Sequence, residues 1–269
     1  MSYMLQFPPI DPLPPSSHKP PYVKFGINGI EISHDLPREI PLALVLHYIP
    51  KVQQWLLPAP THLPLRAQKA ALTKPYIGIN ILADIRAEAL SEVLVRMLQH
   101  AGHTHKLTRQ NFYIHPTIRF SIAIHNAWLA LGLPSTGLAN LHTHMQSQLI
   151  HGPPIQETEI KVLWSLFPAT SPVLHEMGMN FIRSHLDKAY TQPQFSEIRR
   201  WYLRDKDKYV FFRALESQFP RFESVQKELI DEVIAKRKAD EEQKKILEEK
   251  KRAVSEKKAV KRRMKERRD

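Results

Sequence analysis

The chain has 269 residues, 42% of them apolar, and a net charge of +12. That is enough for one large or two small domains with a true core. The lack of cysteine excludes disulfides and thiolate chemistry, and no apolar run reaches the roughly 18 residues of a membrane helix. The charge is uneven: residues 250–269 hold 11 Lys/Arg against 3 Asp/Glu, a net +8, which leaves +4 for the other 249. The N-terminus has no basic-then-apolar secretion pattern, so a soluble protein of the nucleus or cytoplasm is expected.

Residues 1–21 carry Pro8, Pro9, Pro12, Pro14, Pro15, Pro20 and Pro21. Proline fixes φ and lacks an N–H, so this stretch reads as a disordered, polyproline-like arm. Tyr22–Ile27 and Gly29–Ser33 read as a hairpin about Asn28-Gly29, a strong turn dipeptide. Leu42–Tyr48 and Lys51–Leu57 read as two short helices separated at Pro50, with proline-marked loops at Pro58, Pro60, Pro64 and Pro75. Tyr76–Leu82 is β-rich and apolar on both faces, which predicts a buried central strand.

Ile85–His100 repeats Ala87, Leu90, Leu94 and Met97 at helical spacing, and Gly102 is a natural stop. Arg86, Glu88, Glu92 and Arg96 fall on its water face. Asn111–His115 reads as a short edge strand. Thr117–Leu131 is apolar almost all round and predicts a central helix. Gly132-Leu133-Pro134 turns it into a next helix striped by Leu138, Leu141, Met145 and Leu149. The expected core therefore includes Leu94, Met97, Trp128, Leu129, Leu138 and Leu141. Further helices are expected at Glu157–Phe167, Pro172–Leu186, Phe195–Leu203 and Asp205–Phe219. From Glu223 the composition turns to Lys, Arg, Glu and Ala. The pairs Asp240–Lys244, Glu241–Lys245 and Glu248–Arg252 support a charged, solvated helix.

Chemistry is thinly signalled. Fourteen histidines invite a metal reading, with His100, His103 and His105 in one loop and His142 and His144 on one helix. Zinc needs three or four converging ligands, and an i,i+2 pair on a helix points apart. The residues form no HExxH, GxGxxG, GxxxxGK or GxSxG pattern. Asp84 ends the expected central strand, where α/β enzymes place catalytic groups, but no partner is near in sequence and a helix N-cap or turn role fits better. No catalytic, cofactor-binding or metal-binding residue is assigned. The four tryptophans, Trp55, Trp128, Trp164 and Trp201, each lie in an apolar periodic segment and read as core.

This order of elements resembles the BTB/POZ domain, in the divergent form common among filamentous fungi. The resemblance covers about Tyr22 to Ile150. It rests on the hairpin, on the helix pair with Leu44, Leu46, Val52, Trp55 and Leu56, and on the third strand. Val93, Leu94, Met97, Leu98 and Gly102 sit where the family has a paired-apolar helix ending in glycine. Ala123, Trp128, Leu129, Gly132, Leu133, Pro134, Leu138 and Leu141 match its final helix–turn–helix. The chain has His34-Asp35 where the family usually has His-Lys, and His100-Ala101-Gly102 where it has Tyr-Thr-Gly.

The resemblance implies an α+β fold: a small sheet flanked by helices (22–150), then extra helices (155–219) and a charged helix with a basic tail (220–269). It also implies a non-enzymatic adaptor or scaffold that binds other proteins. The proline arm is not expected to form the family's swapped dimer. Leu107-Thr108-Arg109 lacks the acid common in members that recruit cullin ligases. An enzyme of an unrecognised family remains the rival. The tail residues Lys257, Lys258, Lys261, Arg262, Arg263, Lys265, Arg267 and Arg268 suit a nuclear import signal, a nonspecific nucleic-acid arm, or a solvated helix end.

Overall fold

The computed structural model describes residues 4–9, 13, 15–57, 76–102 and 116–225, then short helical stretches (227–228, 230–231, 234–235, 238–239 and 241–244). The chain divides into two compact units. One comprises Met1–Pro153 and Thr158–Met177; the other comprises Pro154–Glu157 and Gly178–Asp269. A single boundary between 150 and 155 was expected; instead Thr158–Met177 belongs with the first unit.

In the first unit, strand β1 (Tyr22–Ile27) buries Val23, Phe25 and Ile27 on one face, the period-2 pattern of a half-buried strand. Asn28 and Gly29 both take positive φ (49° and 85°), as a two-residue hairpin turn of the primed type requires. Strand β2 (Ile30–Glu31) is only two residues long and pairs antiparallel with β1. Strand β3 (Tyr76–Ile81) pairs parallel with β1 along its whole length, giving the sheet order β2-β1-β3. The centre of the sheet is therefore β1, which corrects the expectation for Tyr76–Leu82. Ile79 and Ile81 are buried, whereas Leu82 is exposed. The Asn80 side chain instead receives the Gly29 N–H at 2.8 Å and ties the hairpin tip to β3. Beyond β3, Leu56 bridges Ile79, and the Leu57 N–H reaches the Gly78 carbonyl at 3.0 Å.

Helix α1 (Leu42–Tyr48) buries Leu44, Val45 and Tyr48. The second short helix is a 3₁₀ turn over Pro50–Trp55 rather than an α-helix. Proline opens it, and Leu56 and Leu57 have left for the sheet edge. Helix α2 (Ala87–His100) starts two residues later than expected because Arg86 is extended. Its buried face is Ala89, Leu90, Val93, Leu94, Met97 and Leu98, and it packs against α3.

Helix α3 (Ile118–Ala130) is capped by Thr117, whose hydroxyl accepts the Phe120 N–H. It ends in a Schellman pattern: the Leu133 N–H reaches the Trp128 carbonyl, and that of Gly132 (φ 74°) reaches the Leu129 carbonyl. Trp128 is wholly buried, and its indole N–H donates to the Pro134 carbonyl at 2.8 Å. Leu129 is 41% exposed, which corrects its place in the expected core. Ser121 and His125 occupy inward positions on the helix, and Leu129 falls on the solvent side. A 3₁₀ turn (Ser135–Leu138) leads into α4 (Ala139–His151), which buries Leu141, Met145 and Leu149 as its stripe predicts. Helix α5 (Glu157–Leu166) follows, burying Ile160 and Leu163.

The disordered arm expected at 1–21 is corrected for its described parts. Leu5 and Phe7 are both buried. They lie two residues apart, so an extended backbone turns them to one face. The Phe7 ring packs 4.8 Å from Trp128 and 5.4 Å from Tyr48 between centroids. The intervening Gln6 N–H donates to the Gly137 carbonyl at 2.9 Å. A Cβ on Gly137 would stand 2.3 Å from the Gln6 carbonyl oxygen and 2.4 Å from the Trp128 ring, so only glycine fits there. Pro15–His18 forms a 3₁₀ turn rather than polyproline helix.

The second unit is helical. Helix α6 (Pro172–Leu186) enters it at Gly178; α7 (Gln192–Leu203) and α8 (Lys206–Glu216) pack on each other. Thr191 and Gln194 form a capping box on α7, and Asp205 caps α8. The core is aromatic: Phe181 stacks with Phe195 at 5.7 Å, and Tyr202 with Phe212 at 4.6 Å. The Tyr202 hydroxyl donates to the buried Glu216 carboxylate at 2.5 Å. Burial first, and that carboxylate next, hold the phenol well above its ordinary range. Arg213 bridges Glu216 (3.4 Å) and Glu223 (3.1 Å), and Phe222 and Val225 are buried. The charged C-terminal segment therefore begins as packed structure, later than the boundary expected at 220. The described residues from 227 on are exposed.

Two losses of stability are expected. Trp128→Ala should cost about 3–5 kcal/mol, since a large buried ring leaves a cavity. Phe7→Ala should cost about 3 kcal/mol for the same reason. Urea melts of the two variants check both; a free arm would leave Phe7→Ala at wild-type stability.

Candidate functional site

A surface cleft of about 330 Å³ lies in the first unit between the β3–α2 connector, α3 and α5. Its floor is apolar. Ile85 and Ile122 are buried, and Ala123 and Val162 line the rest. Its rim is polar because the elements bordering it are helix beginnings. Arg86 is the N-cap position of α2, Arg119 lies in the first turn of α3, and Thr158 and Glu159 lie in that of α5. Asn126, one helical turn along from Ile122, adds an amide. Arg86, Arg119 and Asp84 are exposed and have no ion-pair partner among the described residues. Asp84 does not cap α2, since the N-cap is Arg86 with no side-chain cap bond; it stays in the connector. The cleft can seat an apolar side chain while charged groups at its mouth hold polar neighbours.

A second cleft of about 300 Å³ lies against β1, between Val23, Phe25, Leu36 and Ile40, with Arg38 and Glu39 at its edge. The Ser33 hydroxyl accepts the Phe25 N–H at 3.1 Å along its wall.

The histidines scatter. His142 faces His125 across α3 and α4 with ring centroids 5.3 Å apart, and Phe167 packs on both at 4.9 and 5.1 Å. Nδ1 of His125 and Nε2 of His142 have no hydrogen-bond partner among the described residues. Burial, and then the neighbouring His142, push His125 down to about 4; burial lowers His142 too. His144, two residues on, instead contacts the Pro116 carbonyl at 2.8 Å. His100 meets the Tyr48 hydroxyl at 3.1 Å, and burial raises that phenol. In the second unit His185 lies flat on Phe195 at 3.8 Å, and burial pushes it to about 4. No group of three or more His, Asp or Glu able to hold a metal occurs among the described residues.

Of the residues singled out from the sequence, Leu94, Met97, Trp128, Leu138 and Leu141 are fully buried, and Leu129 is not. Trp55 is buried; Trp164 and Trp201 are half-buried, and Trp201 is covered by the Lys208 ammonium at 4.9 Å. The tail residues Lys257, Lys258, Lys261, Arg262, Arg263, Lys265, Arg267 and Arg268 lie outside the described residues. So do His103, His105, Leu107-Thr108-Arg109, the strand expected at 111–115 and the proline loops at 58–75. The sequence reading missed the cleft. Its residues come from three segments, and only the fold joins them. His125 was missed because a histidine within an apolar helix carries no motif.

Comparison with protein-family models, with curated proteins and with solved structures finds no match to this chain. No helix among the described residues is long and apolar enough to cross a membrane.

His125 and His185 stay neutral in the folded protein down to about pH 4, whereas in the unfolded chain they protonate near 6.5. Folding stability should therefore be flat with respect to these groups above pH 6.5 and fall between 6.5 and 4. The loss should reach up to about 3 kcal/mol for each by pH 4. Denaturant unfolding at pH 7.5, 5.5 and 4.5 measures it. A double His125→Gln, His185→Gln variant should lose most of the slope; an unchanged slope would assign it to other groups.

Proposed function

We propose that this chain is a non-enzymatic protein–protein interaction module, an adaptor or scaffold of BTB/POZ-like architecture. The observation that carries this reading is the cleft beside α3, with its apolar floor and, on separate walls, two arginines that have no ion-pair partner among the described residues. Such a surface suits a side chain of another protein better than it suits chemistry on a small molecule. The element order supports the BTB-like part: a hairpin, a helical pair, a strand returning parallel to the first, then α2 and the α3–α4 pair. That is the order of the family resemblance.

The basic tail supports a second reading in which the protein works in the nucleus and binds nucleic acid without sequence preference. Eight of the twelve net positive charges lie in residues 250–269. Binding through them should be steeply salt-dependent, because phosphate neutralisation releases counterions.

Affinity purification of the full chain tests the first reading, with specific protein partners that survive nuclease treatment as the expected result. Partners lost with nuclease, and lost again on deleting residues 250–269, would favour the second. An enzymatic activity assigned to the purified chain would overturn both.

A further inference from the structure

We propose that His125, His142 and Phe167 form an acid-released latch, in which protonation of the paired imidazoles frees the C-terminal end of α5 from the α3–α4 pair while the rest of the first unit stays folded. The latch is independent of the interaction reading and stands whether or not the cleft binds a partner.

The two imidazoles meet across α3 and α4 with ring centroids 5.3 Å apart. His125 is 3% exposed, and His142 is half-buried. The Phe167 ring packs on both, at 4.9 and 5.1 Å, and covers the pair. Phe167 extends α5 by one residue, since its N–H reaches the Leu163 carbonyl at 3.1 Å. The histidine rings thus hold the end of that helix. Neutral imidazole suits the contact because its body is a flat, largely apolar ring.

A proton makes the same contact unfavourable. Nδ1 of His125 and Nε2 of His142 have no partner among the described residues, so an added N–H finds no acceptor at either atom. Two imidazolium rings would also repel each other across the 5.3 Å between them. Nothing opposes that repulsion. The groups acting on His125 are His142 from α4 and the Asn126 amide from α3 itself, and α5 presents only the Phe167 ring. His142 is perturbed by burial, and no carboxylate acts on either imidazole among the described residues. A buried, uncompensated charge must reach water. The corner joining α3 and α4 is tied by the Trp128 bond to Pro134, whereas α5 gives way to the non-helical residues 168–171 just past Phe167. Phe167 is therefore the part that moves. The same helix supplies Thr158, Glu159 and Val162 to the cleft, so the latch also governs one wall of it.

The latch is closed above about pH 6.5, where a released imidazole is neutral too, and loosens as pH falls below that value. His125 titrates near 6.5 when released and at about 4 when held, so the released form gains about tenfold between pH 7.5 and 5.5. Hydrogen–deuterium exchange of the full chain at these two pH values tests this, with rates corrected for the intrinsic pH dependence of exchange. The amides of residues 163–167 should lose protection by about tenfold at pH 5.5, while those of β1 and α2 keep theirs. A His125→Gln, His142→Gln variant should hold the same protection at 163–167 at both pH values. His125→Phe, which keeps a flat ring that takes no proton, decides the matter if the double variant fails to fold, and should lose most of the pH effect. Protection at 163–167 that is indifferent to pH overturns the proposal. So does a loss shared equally by β1 and α2, which would mark general unfolding, or a loss that persists in the substituted chains.

Discussion

Trp128 holds the first unit together. Its ring is fully buried, and its one polar atom is satisfied by the Pro134 carbonyl just past the turn. That bond fixes how α3 hands over to α4, because an indole N–H buried without a partner would be costly. Phe7 covers the ring on one side and Gly137 approaches it on another. The α3–α4 corner and the N-terminal segment are thus organised about one side chain. The α3 wall of the cleft, which carries Arg119, Ile122 and Asn126, belongs to that same helix.

Both units bury histidine in aromatic surroundings. His125 lies with His142 and Phe167, and His185 with Phe195 and Phe222. A neutral imidazole packs there as a flat ring, and only its charged form is incompatible with the site. Imidazole is buried neutral in both units, while much of the positive charge lies elsewhere. Arginines line the open cleft, and the surplus of lysine and arginine is gathered at the end of the sequence.

Periodic segments were legible in the sequence, and sites made by distant segments were not. Leu42–Tyr48, Pro172–Leu186 and the Leu138–Leu149 stripe form as read, because helical spacing of apolar residues is a local property. The hairpin was legible from Asn28-Gly29 alone. Which strand is central was not, since sheet order depends on partners far away. Leu129 misled because α3 is apolar on nearly every side, so composition does not select the inward face. The arm misled because its prolines drew attention from Leu5 and Phe7, whose alternation marks a buried edge. The cleft was illegible because its arginines look like ordinary surface charges until the fold puts them beside Ile85 and Ile122.

The seat of Phe7 also sets an order of events during synthesis. Its partners come from Tyr48 and from Trp128, and the latter leaves the ribosome some 120 residues later, which at typical elongation rates is on the order of ten seconds. Until then Leu5 and Phe7 have no complete site. Leu5 and Phe7, made well before Trp128, are thus among the last residues to be fixed, held in reserve until the α3–α4 corner has formed beneath them. In the finished protein the same segment depends on that corner's integrity. Partial opening anywhere around Trp128 would release the segment carrying Leu5 and Phe7 before the sheet or the helices had come apart.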